Sequence, residues 1–257
     1  MKVLLTNDDG IQAGGLRALY KRLALEHQVT VIAPDRERSA VGHGITLSRP
    51  LRLTSADLDA EISGYAVSGT PADCIKLGVL EIFADKPDLV VSGINLGANT
   101  GININYSGTV SAAREAAIYG IPAIAVSVVG NGEDHFEEIA QFVANLSRMV
   151  FEQGLPSGTI LNVNLPNVPV SETAGIRICR QGLSLFPETF IKRIDPRNRE
   201  YYWHGMELPV AFEDHDTDGA ALNGKYISIT PLKCDMTDYL MIDELKTWGI
   251  EKDIHSN

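Results

Sequence analysis

The chain opens MKVLLTNDDG, and its first residues able to do chemistry are two adjacent carboxylates, Asp8 and Asp9, set between Asn7 and Gly10. Like charges repel, and Asp is a poor strand residue. A pair placed straight after the apolar run Val3-Leu4-Leu5 therefore needs either water or a cation. Two later segments supply more oxygen. "APDRERSAVGHGITL" carries Asp35, Arg36, Arg38 and Ser39, and "SGINLGANTGININYSGTV" carries Asn95, Asn99, Ser107, Gly108 and Thr109. Asp8, Asp9, Asn95 and a Ser hydroxyl are hard donors, a set suited to Mg²⁺ or Mn²⁺ rather than to zinc or copper. Ser107-Gly108-Thr109 precedes a helical pattern, and a helix N-terminus flanked by two hydroxyls is an anion site. A divalent cation beside an anion site points to metal-assisted phosphoryl hydrolysis.

Each piece alone also has a purely structural reading. Asp-Asp-Gly makes a solvated turn or a helix cap, and Ser-Gly-Thr makes an N-cap. Gly93, Gly97 and Gly101 permit turns, and Arg36 and Arg38 read as solvated loop charges. None of the six His residues has a helical ligand spacing such as HExxH; His43, between two glycines, is the one placed near the candidate site. There is no GxxxxGK[ST], so the anion site is not a P-loop. There is no GxGxxG after the first strand; two carboxylates stand where a pyrophosphate would go, which argues against a dinucleotide cofactor.

The elements that must position these residues follow from periodicity. Lys2 to Thr6 reads as a buried strand. "AGGLRALYKRLALE" reads as a helix with Leu16, Leu19, Tyr20 and Leu23 on one face. "HQVTVIAP", "LRLTS" and "GYAVSG" read as strands. "TPAD" opens a helix with Thr70 as N-cap, Pro71 first and Asp73 in the first turn, running to about Phe83. "PDLVVSG", "IPAIAVSVV" and "GTILNVNLP" are strands, alternating with helices over "VSAAREAAIYG" and "FEEIAQFVANLSRMVFEQG". Such alternation, with strands written as short apolar runs, predicts an α/β domain with a mainly parallel sheet covered on both faces. Ligands bind at the carboxyl ends of such strands, which brings the three oxygen-rich loops to one edge. After Pro166 the rhythm changes to strands without helices ("GIRICRQG", "ETFIKRI", "REYYWHGM", "GKYISITPL"), then a terminal helix over "DYLMIDELKTWGIE". A protruding hairpin with exposed Phe190, Tyr201, Tyr202 and Trp203 would want a partner surface, so an oligomer is expected.

Bulk properties narrow the class. The 257 residues are 44% hydrophobic and 21% charged, ordinary for a globular protein. The net charge of −11 disfavours binding to nucleic-acid duplexes or anionic membranes, but leaves room for a small phosphate ligand. Cys74, Cys179 and Cys234 are widely spaced and read as free thiols. No signal peptide or membrane span is expected, and the cytoplasm is the default.

Together "LLTNDDG", "APDRERSAVGHGITL", "SGTPADCIKLG", "PDLVVSGINLGAN" and "NYSGTVSAAREAA" resemble, in order over roughly residues 1–130, the SurE family (survival protein E) of metal-dependent 5'/3'-nucleotidases. "ITPLKCDMTDY" near the C-terminus resembles it too. The resemblance implies a Rossmann-like three-layer α/β sandwich over residues 1–180. It also implies an extension over 181–257 whose hairpin and terminal helix swap to build homodimers or homotetramers. The implied reaction is hydrolysis of nucleoside 5'- and 3'-monophosphates to nucleoside and phosphate, with some activity on short polyphosphate. Position by position, the implied ligands of one divalent metal ion per subunit (Mg²⁺ or Mn²⁺) are Asp8, Asp9, Ser39 and Asn95, with Asp8 and Asp9 also catalytic. Asn99, Ser107, Gly108 and Thr109 would line the phosphate site. Two rival functions are a phosphatase with a covalent aspartyl-phosphate, which the adjacent rather than Asp-x-Asp acids disfavour, and a non-catalytic nucleotide-binding module.

Overall fold

Alternate residues of the first strand are buried on opposite sides, and this sets the layers. In the computed structural model, which describes residues 1–59, 62–130, 132–183, 189–205 and 214–253, Val3 and Leu5 of β1 (Lys2–Thr6) join one apolar cluster and Leu4 joins a second. The first cluster takes Leu16, Leu19 and Leu23 from α1 (Gly14–Leu23) and Ile139 and Val143 from α4 (Phe136–Gln153). The second takes Cys74 and Ile75 from α2 (Pro71–Leu77) and Val110, Ala113 and Ala116 from α3 (Gly108–Ile118). A strand with period-2 side chains and helices on both faces must be apolar throughout, which is why "VLL" runs unbroken.

The remaining strands are β2 (Gln28–Pro34), β3 (Leu53–Asp59), β4 (Ile62–Val67), β5 (Leu89–Leu96), β6 (Ala123–Val128), β7 (Thr159–Leu165), β8 (Ile176–Ile178), β9 (Phe190–Ile194), β10 (Glu200–His204) and β11 (Ile227–Lys233). Among the described residues, eight of them join β1 in one nine-stranded sheet, in the order β3-β4-β2-β1-β5-β6-β7-β11-β8. Pairing is parallel from β4 through β7; β3 and β11 run antiparallel to β4 and β7. This is the α/β domain with a mainly parallel sheet that the alternation predicts, and the Rossmann-like sandwich that the family resemblance implies. Its order reverses around β1, because β2 lies on one side and β5 on the other. Such a switch point opens a crevice at the carboxyl ends of the strands.

Local signals account for several boundaries. Thr70 and Asp73 form a reciprocal capping box: the Asp73 N–H donates to Thr70 Oγ1 at 3.1 Å, and the Thr70 N–H donates to Asp73 Oδ2 at 2.9 Å. The α-helical part of the "TPAD" helix ends at Leu77, and a π-helical turn, Gly78–Ile82, carries it to the expected end near Phe83. A Cβ at Gly78 would lie 2.9 Å from Ile32 Cδ1, so the glycine lets the helix press onto the sheet. The chain past Pro166 is less regular than its pattern suggests. "GIRICRQG" keeps three strand residues, and a short helix, α5 (Asp218–Asn223), precedes β11. β9 and β10 make the antiparallel hairpin, every residue of both exposed; the outer ends of its two sequence stretches lie outside the described residues. The terminal helix pattern becomes α6 (Tyr239–Thr247) and α7 (Ile250–Asp253). Among the described residues no helix is long and apolar enough to cross a membrane, and all three cysteines are free.

Candidate functional site

The turn after β1 is closed by Asn7, whose Nδ2 donates to the Gly10 carbonyl at 3.0 Å while its Oδ1 accepts from the Gly10 N–H at 3.2 Å. Gly10 has φ +102° and packs on the Arg36 backbone, a conformation and a proximity that exclude a side chain. The turn exposes Asp9 partly and buries Asp8. Thr109 Oγ1 donates a short hydrogen bond to Asp8 Oδ1. A Cβ at Gly108 would sit 2.8 Å from Asp8 Cβ, so glycine is what allows the start of α3 to meet the carboxylate. Burial pushes the Asp8 carboxyl up, and the Thr109 hydroxyl and the N–H groups at the start of α3 only partly offset it. Burial and the nearby acids Asp8, Glu37 and Glu133 raise Asp9 to about 7. Among the described residues no basic side chain stands with the groups acting on either carboxylate.

Asp8 lies on the wall of a cavity of about 600 Å³ with Ser39, Asn95, Asn99 and Ser107. All three oxygen-rich loops thus meet. The Asn95 Nδ2 is committed to the Gly97 carbonyl at 2.7 Å, which leaves its Oδ1 unengaged. Ser39 is exposed and donates to Glu37 Oε1 at 2.8 Å, keeping its lone pairs. Ser107 caps α3 by accepting from the Val110 N–H at 3.1 Å, so its hydroxyl hydrogen stays free. Asp9, Gly108 and Thr109 are not among the residues that line it; Thr109 is fully buried against Asp8. Two carboxylates with no basic side chain against them among the described residues, an amide oxygen and a hydroxyl are a donor set that fits a hard divalent cation. Among the described residues no three His, Cys, Asp or Glu side chains converge to hold a metal ion.

The family model for Survival protein SurE matches residues 3–187. A protein of Desulfatibacillum aliphaticivorans named 5'-nucleotidase SurE is 57% identical over 98% of this chain and 100% of its own. Its counterpart of the same name in Syntrophobacter fumaroxidans is 48% identical over 97% and 100%. The crystal structure of the SurE protein from Aquifex aeolicus superposes with a TM-score of 0.85 at 42% identity, covering 97% of this chain and 100% of that one. The chain belongs to the SurE family.

In this SurE chain several residues that the sequence reading passed over hold the site together. Asn162 and Asn164 of β7 donate to the Asn99 carbonyl at 2.8 and 3.2 Å, Asn164 Oδ1 accepts from the Asn99 N–H at 2.7 Å, and Asn99 Nδ2 donates to Ser127 Oγ at 2.7 Å. Two Asn at i and i+2 in an apolar strand share one face, and that spacing was the available signal. Buried Asp218, ahead of β11 in sequence, accepts from the Gly101 N–H at 2.8 Å, a link no local pattern announces. The Ser39 loop is fastened on the other side: His43 Nε2 lies 2.7 Å from Glu115 Oε2 of α3, and Lys76 of α2 reaches Glu115 Oε1 at 3.1 Å.

Proposed function

We propose that this protein is a phosphomonoesterase that hydrolyses nucleoside 5'-monophosphates, and 3'-monophosphates as well, to nucleoside and phosphate. The observation that carries the reading is the buried Asp8 beside Asp9, with no basic partner among the described residues, on the wall of a nucleotide-sized cavity. Relatives named 5'-nucleotidase over nearly their full length support it. Asp8, Asp9, Ser39 and Asn95 would hold one Mg²⁺ or Mn²⁺ per subunit. Such a cation supplies positive charge for the phosphoryl group and acidifies water at neutral pH.

The protein groups have distinct duties. Thr109 fixes the rotamer of Asp8 through Oδ1. Asp8 and Asp9 are assigned to orient and deprotonate the attacking water. The free hydroxyl hydrogen of Ser107 and the second Nδ2–H of Asn99 are assigned to the phosphoryl oxygens as charge develops, while Gly108 and Thr109 at the N-terminal end of α3 hold the Asp8 carboxylate beside them. Among the described residues none lining the cavity is Lys or Arg, which suits a single phosphate better than a polyphosphate chain. The exposed apolar hairpin and α6 support reading residues 181–257 as the extension through which copies assemble into dimers or tetramers. The low pI and free thiols accord with the cytoplasm.

The test is phosphate release from nucleoside 5'- and 3'-monophosphates with Mg²⁺, with Mn²⁺ and with EDTA. Release that requires the cation, without a phospho-enzyme on rapid quench, is expected. Tight nucleotide binding without release would install the binding-module reading instead.

A further inference from the structure

The donors assigned to phosphate and metal occupy only part of the cavity wall, and about 600 Å³ is far more than a phosphate fills. Two of the other lining side chains carry rings: Tyr106, which directly precedes Ser107, and His204, at the end of β10 in the hairpin. Both are exposed, and among the described residues no hydrogen bond engages the Tyr106 hydroxyl or the His204 ring. The His204 ring is nonetheless held. Phe190 packs against it with ring centroids 4.5 Å apart at 44°, and the Gly205 N–H donates to the Thr189 carbonyl at 2.7 Å, closing the hairpin beside the cavity. Ala40, Leu96 and Ala98 add apolar surface, and among the described residues no Lys or Arg lines the wall.

We infer that Tyr106 and His204 bind the nucleobase of the substrate by stacking and so set the preference for nucleotides over other phosphomonoesters. This rests on the phosphomonoesterase reading above. A flat, largely neutral group matches exposed rings with one buttressed face, whereas a second phosphate would find no positive partner there. Every base has a π-face, so stacking recognises nucleotides without choosing strongly among bases. The hairpin thereby contributes to the site as well as to assembly. Because the contact is made equally before and during reaction, its loss raises KM and leaves kcat close to its starting value.

The experiment compares AMP and UMP with ribose 5-phosphate, which keeps sugar and phosphate but lacks the base, using full-length protein with Mn²⁺. The wild type is expected to favour both nucleotides over ribose 5-phosphate. Tyr106→Leu and His204→Leu should each raise KM for AMP and UMP about ten-fold, as loss of a stacking partner does, and change ribose 5-phosphate kinetics less than two-fold. His204→Phe should retain the nucleotide KM, because it keeps the ring. Equal losses on all three substrates, no loss on any, or a wild type indifferent to the base would overturn the inference. A wild type that hydrolyses none of the three would instead overturn the phosphomonoesterase reading.

Discussion

The Thr109 hydroxyl and Gly108 show how single atoms prepare Asp8. One fixes the carboxylate, and the other leaves room for it where any Cβ would collide. An unpaired acid buried beside a second acid is costly until a cation arrives, so the site holds its charge at the expense of metal-free stability. Asp8→Asn removes that conflict with almost no change in shape. It should lower kcat/KM at least about 100-fold while the metal-free melting temperature stays level or rises. In the wild type, Mn²⁺ at about 100 times its Kd should stabilise by about 2.7 kcal/mol, an upward shift of about 5–10 °C for a chain of this size. Scanning calorimetry should show that shift lost in Asp8→Asn; a retained shift would place the cation elsewhere. The meeting of Asp8, Ser39, Asn95, Asn99 and Ser107 on one cavity was legible because oxygen donors after apolar strands stand out. The duty of Thr109 was not, since an N-terminal helix hydroxyl reads equally as facing outward to an anion or inward to a carboxylate.

At the scale of elements, Glu115 fastens three of them: the Ser39 loop through His43, α2 through Lys76, and its own helix α3. Burial alone would raise the Glu115 carboxyl, but the bonds from His43 and Lys76 outweigh it and hold it below the ordinary 4.5. A carboxylate lowered on folding contributes stability that is present above its unfolded pKa and lost as pH falls through the folded value. Glu115→Gln should therefore cost about 1 kcal/mol at pH 7, modest because Lys76 reaches solvent, and the gap to wild type should close as pH drops below about 4. Urea unfolding at pH 7 and pH 3.5 measures both; a gap that widens in acid would contradict it. The helices and parallel strands were readable because each carries a period of its own. α5 was missed because six residues around Asp218 and Gly219 show no apolar stripe. The partner of β11 was unreadable for a different reason: pairing with β7 depends on what the sheet still lacks, which is not written within either segment.

Across the whole molecule, exposed apolar surface collects on the hairpin and on α6. Phe190, Tyr202 and Trp203 are 61%, 56% and 63% exposed, and Leu240 is 88% exposed. Sedimentation at micromolar concentration should show a dimer or tetramer, and Trp203→Asp should shift it toward monomer by placing a charge in the contact. A wild-type monomer would refute this. The overall class was plain from the α/β rhythm, whereas the closing of the sheet was not. Between the end of β7 and the start of β11 lie about 60 residues, and until they are made β7 presents an open row of backbone donors and acceptors. At ordinary rates of synthesis that interval lasts about 3–12 s. A nascent chain with its hydrophobic sheet largely assembled and one bare edge is a template for pairing with its neighbours on the same message. The late return of β11 thus makes the last quarter of the chain a cap against aggregation on the ribosome.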